Sequence, residues 1–560
     1  MKKRKVEKLE LLLQKPKYNC FKLIKDEKKV RCFLCNSLIR YYESDLNEHL
    51  QTDIHKSKLK NDSYSINKFI QKVTTTEDKS KFNIDIVIHC ISKDLPLSTI
   101  DTIFTPKFIE NLYHNRFNLL NGYTLQTQYL SKAYDYGKEK IQKLMGDHPY
   151  SLLIDETSNF GRKIVICCGS NKNGFYTLLV KHLDVGESMN SNIIVNIIEQ
   201  IINEYKLDPH KFVSYISDNT NYNKTAFNIL KKKYLLLNKI GCFSHIINLV
   251  IKSIINSKFG FEKMIKLLYN IFVYTNGIFN EKIQYLFKKT FKKSSRSIFY
   301  MNNIRWTSII SIFGFISENL EDFVLFLIEF NENQYVNELL SILQNHNIIC
   351  SIEIVNNLII PLKKQLLYSQ IDDIHKFSTI SEEIISYFKT LKMFRNSKEA
   401  EKLIINTKLQ KSLNLSITEI KDLTNIVIEV CSLSINKYEK HGREIINIVR
   451  AINILDTYSG NFPSDLLKYT NTSMFLLINE FNLAKQKKLS KIELLSSDLF
   501  TNLCNLIDRI DSIRSGISGV ERMFSLLKLI LKKQRMNMKN ENIEKTLFIR
   551  CNANYLNKFI

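Results

Sequence analysis

Apolar residues recur at helical spacing over most of this chain, and one stretch in its first half breaks the rhythm. From Ile84 to about Lys143 the spacing predicts helices, with Pro96 and Pro106 marking breaks. Tyr150 to Ile154, Lys163 to Gly169 and Gly174 to Val180 are short β-rich runs bounded by Asn and Gly, which predicts three consecutive strands in a meander. A helical stretch from Ile193 to Tyr205 follows, then a strand from Phe212 to Ser217, a helix from about Tyr222 to Leu236, a strand from Lys239 to Cys242 and a helix from His245. Three strands followed by alternating helices and strands predict a mixed sheet with helices packed on it. From about Lys252 to Ser497 the spacing stays helical, and residues 498–560 are again helical and amphipathic. The expected class is α+β, mostly helical.

Composition narrows the possibilities. A chain of 560 residues has room for several domains. With 44% apolar and 24% charged residues it can build sizeable cores, so disorder along most of its length is excluded. Only 15 Gly and 7 Pro argue against a turn-rich all-β protein. No apolar run reaches the roughly 18–20 residues of a bilayer span, and no apolar segment of a signal peptide follows the charged start, so no membrane partner is expected. Eleven Cys at irregular spacing fit a reducing compartment better than a disulfide framework. Lys plus Arg minus Asp plus Glu is 80 − 56, a formal charge of +24. That excess is either solvated Lys from an AT-rich coding sequence or a surface that neutralises phosphates. Met1-Lys2-Lys3-Arg4-Lys5-Val6 is a basic cluster of the nuclear-import type, so the expected location is the nucleus; a solvated tail is the alternative.

After a basic tail over 1–17, residues 18–61 carry a metal-like spacing. Two residues separate Cys32 from Cys35, thirteen separate Cys35 from His49, and five separate His49 from His55. Two thiolates on a tight turn and two imidazoles on a following helix can converge tetrahedrally on Zn²⁺. So small a unit cannot bury enough core to fold alone, so the metal would supply its folding free energy, with Phe21, Leu46 and Leu50 beside it. Lys56, Lys58 and Lys60 follow the second His and would carry the helix onto DNA phosphates; a protein-binding finger is the rival reading. Residues 62–83 read as a linker, and 84–145 as a helical segment.

Asp155 and Asp218 each close a predicted strand, where functional side chains gather in open sheets. Two carboxylates there could hold divalent cations, although an Asp ending a strand is more often a turn former or helix cap. Their surroundings are Ser151-Leu152-Leu153-Ile154-Asp155-Glu156-Thr157, Ser217-Asp218-Asn219-Thr220-Asn221-Tyr222-Asn223 and Gly241-Cys242-Phe243-Ser244-His245. Asn303-Ile304-Arg305-Trp306-Thr307 and Gly519-Val520-Glu521-Arg522-Met523-Phe524-Ser525 come later. In this order the motifs resemble those of the hAT family of cut-and-paste DNA transposases, and the N-terminal unit is similar to the BED-type fingers many members carry. The segment just before Glu521 departs from the family, lacking its aromatic and proline-rich pattern.

The resemblance implies an RNase H-like core in two parts (146–251 and 498–560) interrupted by an all-α insertion (252–497), with a C-terminal dimerisation region. It implies Asp155, Asp218 and Glu521 as catalytic ligands of Mg²⁺ or Mn²⁺, placed for in-line phosphodiester displacement. It implies that Cys242 and His245 lie beside the active site, that Arg305 and Trp306 meet DNA by stacking, and that Arg522 forks onto a phosphate or carboxylate. A core Cys with a capping His, and a Trp that anchors the core, remain the plain alternatives. The implied partners are double-stranded DNA and further copies of the chain, as a dimer or larger. The rival of another class is a transposase-derived nuclear protein that binds DNA without cutting it.

Overall fold

The structure is a computed structural model that describes residues 21–24, 29–32, 37–40, 42–53, 55–56, 76–103, 120–159, 161–184, 186–256, 261–272, 285–287, 289–291, 312, 314–330, 334–368, 383, 386–405, 415–514, 516–531 and 538–556. The chain divides into two compact units, Met1–Ala133 and Tyr134–Ile560. Most described residues are helical. None of the described helices is long and apolar enough to cross a membrane.

In the first unit, β1 (Phe21–Ile24), β2 (Lys29–Cys32) and β3 (Leu38–Arg40) pair antiparallel in sequence order. β2 alternates, with Val30 and Cys32 buried and Lys29 and Arg31 exposed, as a strand with one covered face must. Helix α1 (Glu43–Gln51) follows, with Glu43 and Asp45 in its first turn and Leu46 fully buried. Helix α2 (Thr76–Ser92) begins inside the stretch expected to be a linker. Its first turn, Thr76-Glu77-Asp78, has no apolar period because acidic side chains suit a helix N-terminus. The apolar stripe appears only from Phe82, through Val87, Ile88 and Ile91.

The second unit opens with α3, a helix over Leu130–Met145 whose first residues belong to the first unit. Five strands follow: β4 (Tyr150–Asn159), β5 (Arg162–Asn171), β6 (Gly174–His182), β7 (Phe212–Ser217) and β8 (Asn238–Gly241). Their order across the sheet is β6-β5-β4-β7-β8. β4, β5 and β6 form the antiparallel meander, while β7 and β8 run parallel to β4. All six residues of β7 are buried, as befits a parallel strand covered on both faces. Helix α4 (Ser191–Glu204) crosses between β6 and β7, and α5 (Asn221–Lys233) between β7 and β8.

Helix α6 (Phe243–Ile255) leaves β8 and begins a stretch with no strand among its described residues. It contains α7 (Phe261–Phe272), α8 (Leu320–Glu329), α9 (Gln334–Leu343), α10 (His346–Tyr368), α11 (Ser397–Ile405), α12 (Ile417–Thr457) and α13 (Met474–Lys487). α12 runs for 41 residues from a capping box in which Ser416 and Glu419 satisfy each other's backbone N–H groups. Pro361 lies inside α10 instead of ending it.

The chain then returns to the sheet through α14 (Thr501–Asp511), α15 (Ser518–Ile530) and α16 (Asn540–Cys551). α15 packs on β4 and β5, and α16 on β6. A buried serine chain fixes the approach to α15: Ser214 Oγ donates to Ser151 Oγ at 2.7 Å, Ser151 and Ser512 hydroxyls meet at 3.2 Å, and Ser170 Oγ donates to the Ser512 carbonyl at 2.6 Å. Arg514 reaches the β5–β6 turn, donating to the Asn171 and Gly174 carbonyls. Gly516 lies against Cys242, where an added Cβ would stand 2.9 Å from its Sγ and 3.1 Å from the Phe243 nitrogen.

Gly516→Ala should therefore overpack this junction and cost about 1–3 kcal/mol. The expected reading is a lower urea midpoint with an unchanged m-value. An unaltered midpoint would show that the segment can yield and that the close approach is not needed.

Candidate metal centres

The first unit gathers three of the four expected zinc ligands. Cys32 ends β2, His49 lies in the last turn of α1, and His55 follows shortly after. Their ligand atoms all lie within 4.8 Å of one another. Cys32 Sγ is 3.5 Å from His55 Nδ1, and the His49 and His55 rings meet edge-on with centroids 5.0 Å apart. A tetrahedral Zn²⁺ with bonds of about 2.3 Å to sulfur and 2.05 Å to nitrogen would hold the two atoms about 3.6 Å apart. The residues present therefore fit a metal such as zinc. Cys32 N–H donates to the Ser37 carbonyl at 2.9 Å; Cys35, between them in sequence, lies outside the described residues. Burial lowers the pKa of both imidazoles, and at His49 the neighbouring His55 lowers it further, so the neutral form that binds metal is favoured. Lys56 is exposed, as a phosphate contact requires, while Lys58 and Lys60 lie outside the described residues.

The second unit brings together acids from distant parts of the chain. Asp218 follows the last residue of β7, as expected. Asp155 lies inside β4 instead of at its end, because β4 continues to Asn159 in its pairing with β5. The parallel pairing with β7 stops at Leu153, so Asp155 still sits just past the carboxyl end of the parallel part. Glu521 is in the first turn of α15, laid across β4 and β5. Burial first, and then the charges of Glu521 and Asp218, raise the Asp155 carboxyl well above the usual carboxylate range, against the Glu156 N–H that donates to its Oδ1 at 2.9 Å. Asp155 is thus poorly solvated and within electrostatic reach of both other acids.

Asp218 is held in one orientation. Its Oδ1 accepts from Thr220 N–H at 3.1 Å, Thr220 Oγ1 at 2.8 Å and Asn223 Nδ2 at 2.6 Å, and Asn223 in turn accepts from the Tyr215 hydroxyl. All three bonds fall on one oxygen, which leaves Oδ2 for a cation. Thr220, Asn223 and Tyr215 were not expected to serve the site, although Asp-x-Thr before a helix is a pattern in which a carboxylate accepts from the second backbone N–H. Glu156 accepts from the Tyr222 hydroxyl at 3.3 Å.

Hard carboxylate oxygens suit Mg²⁺ or Mn²⁺. Among the described residues, however, Cys32, His49 and His55 are the only group of three or more ligands whose atoms all lie within 4.8 Å. The acidic trio is set more widely.

Cys242 is fully buried, and its sulfur accepts from Ile517 N–H at 3.4 Å. Burial, then the charge of Glu521, pushes its thiol up to about 12, so it is a neutral bracket for α15 beside the acids. His245, in the first turn of α6, is partly buried; burial lowers its pKa and Asp218 opposes this. Arg522 is exposed on α15, and Phe524 is buried. Lys239 on β8 buries its ammonium, which burial and then Lys224 bring down to about 8 against the pull of Asp218. Arg305 and Trp306 lie outside the described residues.

The first unit should carry one Zn²⁺ per chain, and Cys32→Ser or His55→Ala should carry none when metal content is measured. Because the folded His pKa values lie below 6.5, the neutral ligands are in place above that pH and the stability they contribute is lost as pH falls through the folded values. Zinc release on acidification should therefore centre below pH 6.5. Full zinc content in Cys32→Ser would remove the assignment.

No protein-family model and no curated protein matches this sequence, so the case for its function rests on the chemistry of these two centres.

Proposed function

We propose that this chain is a hAT-like DNA transposase, which binds the ends of a DNA element and catalyses metal-dependent phosphodiester cleavage and strand transfer. What supports the reading is that the Asp155 carboxyl feels the charges of both Asp218 and Glu521, the latter returning after a long intervening helical stretch. The sheet supports it. Numbered along the chain, its strands are ordered 3-2-1-4-5 with the second antiparallel, the arrangement of an RNase H-like core. The helical residues between α6 and α14 then correspond to an insertion in that core.

A pair of divalent cations bound there would lower the pKa of a water or 3′-hydroxyl and neutralise the departing oxygen. The chain's own part is to hold the carboxylates. Thr220 and Asn223 fix Asp218, the strand places Asp155, and the Cys242 bracket with the serine chain sets the position of Glu521. The zinc finger, Lys56 and the net charge of +24 supply affinity for the phosphate backbone.

Asp155→Asn and Asp218→Asn should each lower Mg²⁺-dependent nicking of DNA by roughly 10³-fold or more, the scale at which groups that act as a unit are lost. DNA affinity should stay within a few-fold of wild type. Nicking unchanged in both variants would overturn the enzymatic reading. Wild-type protein that binds DNA but never cuts it would favour the transposase-derived binding protein.

A further inference from the structure

Helical residues 386–393 and α12 enclose a cavity of about 370 Å³. Its floor is built from Phe388 and Tyr438, both buried and stacked with ring centroids 3.9 Å apart. Its walls carry Lys389, Lys392, Arg443 and Arg450, all exposed, and Glu439 as the one acid. Glu439 pairs with Lys392 at 3.0 Å. Lys389, Arg443 and Arg450 have no ion-pair partner among the described residues. Four cations facing one carboxylate around a concave space call for an anionic ligand.

The spacing says which kind. Arg443, Asn447 and Arg450 recur at i, i+4 and i+7 on one face of α12, so the row extends about 10 Å along the helix axis. That is longer than a single phosphate and matches an anion whose charges repeat, as those of one DNA strand do about every 3.4 Å of duplex axis. Guanidinium forks suit phosphate oxygens, and the Asn447 amide adds a further donor. The stacked floor fixes the two helices from which the cations project.

The cavity is also tied to the acidic patch. Tyr438 stands edge-on to Phe243, with centroids 6.5 Å apart. Phe243 opens α6 next to Cys242, whose thiol feels the charges of Glu521 and Asp155. A shift of the cavity floor would be felt at α6, and so beside the acids.

We propose that this cavity is a phosphate-binding pocket that grips the backbone of the DNA strand presented to Asp155, Asp218 and Glu521, a role that rests on the DNA-cutting reading above. Each cation in contact with a phosphate steepens the dependence of log K on log salt by about 0.9. The full chain is titrated against a random-sequence DNA duplex without divalent metal, at several salt concentrations. Lys389→Ala/Arg443→Ala/Arg450→Ala should lower the slope by about 2.7 with an unchanged thermal midpoint. Arg450→Gln alone, which keeps a polar side chain of similar reach, should lower it by about 0.9. As a control, Lys263→Ala/Lys266→Ala/Lys289→Ala removes the same charge from surface lysines paired with Glu338, Glu262 and Glu329. Its slope should stay within about 1 of wild type. An equal drop in the control, or wild-type slopes in both pocket variants, overturns the pocket alone. A wild-type chain that does not bind the duplex overturns the DNA reading and the pocket with it.

Discussion

Carboxylates brought near one another repel, and the repulsion grows where burial keeps water from screening it. The larger unit holds three acids against that repulsion. Its means are apolar: β7 is buried throughout, β5 is buried over eight consecutive residues, and α15 lies on β4 and β5 with Val520, Met523 and Phe524 buried. Burial first, and then the charges of Glu521 and Asp218, raise the Asp155 carboxyl, and a proton relieves that cost.

Placement of Glu521 depends on contacts with no chemistry of their own. The buried hydroxyls of Ser214, Ser151, Ser512 and Ser170 run from β7 through β4 to the segment before α15. Cys242 accepts from the Ile517 backbone at the other side, and Gly516 leaves room for that approach. Buried polar groups satisfied by one another specify a single arrangement more strictly than apolar packing does. In the smaller unit the corresponding device is a metal-ligand set, because β1 to β3 and α1, which carry it, bury too little surface to order themselves.

Charge is divided between these features. The acids are crowded where burial amplifies their field, while the cations around the α12 cavity stand in solvent, where each costs little to keep charged. A polyanion running from one to the other would meet attraction on the way and, at the acids, whatever cation they hold. The +24 of the whole chain tells only that anions are drawn to it; the position of Lys389, Arg443 and Arg450, which have no ion-pair partner among the described residues, tells where.

Much of the architecture could be read from the chain alone. Short β-rich runs bounded by Asn and Gly foretold the strands of the sheet, and helical spacing the helices between them, because a strand buried on both faces needs an unbroken apolar run and a helix needs a stripe. Cys32, His49 and His55 were recognisable because metal ligands in a small unit sit at short, fixed separations. The start of α2 was hidden, since its first residues show no apolar period in the sequence. Asp155 looked like a strand end because the polar residues after it break the apolar run; only the pairing with β5 carries β4 onward. The pairing of Asp218 with Thr220, Asn223 and Tyr215, the bracket from Cys242 to Ile517 and the cations around the α12 cavity depend on which surfaces meet in space. Local patterning selects the elements because each residue's backbone and burial preferences act within a few positions. Convergence of side chains hundreds of residues apart belongs to the packed fold, which alone decides their distances.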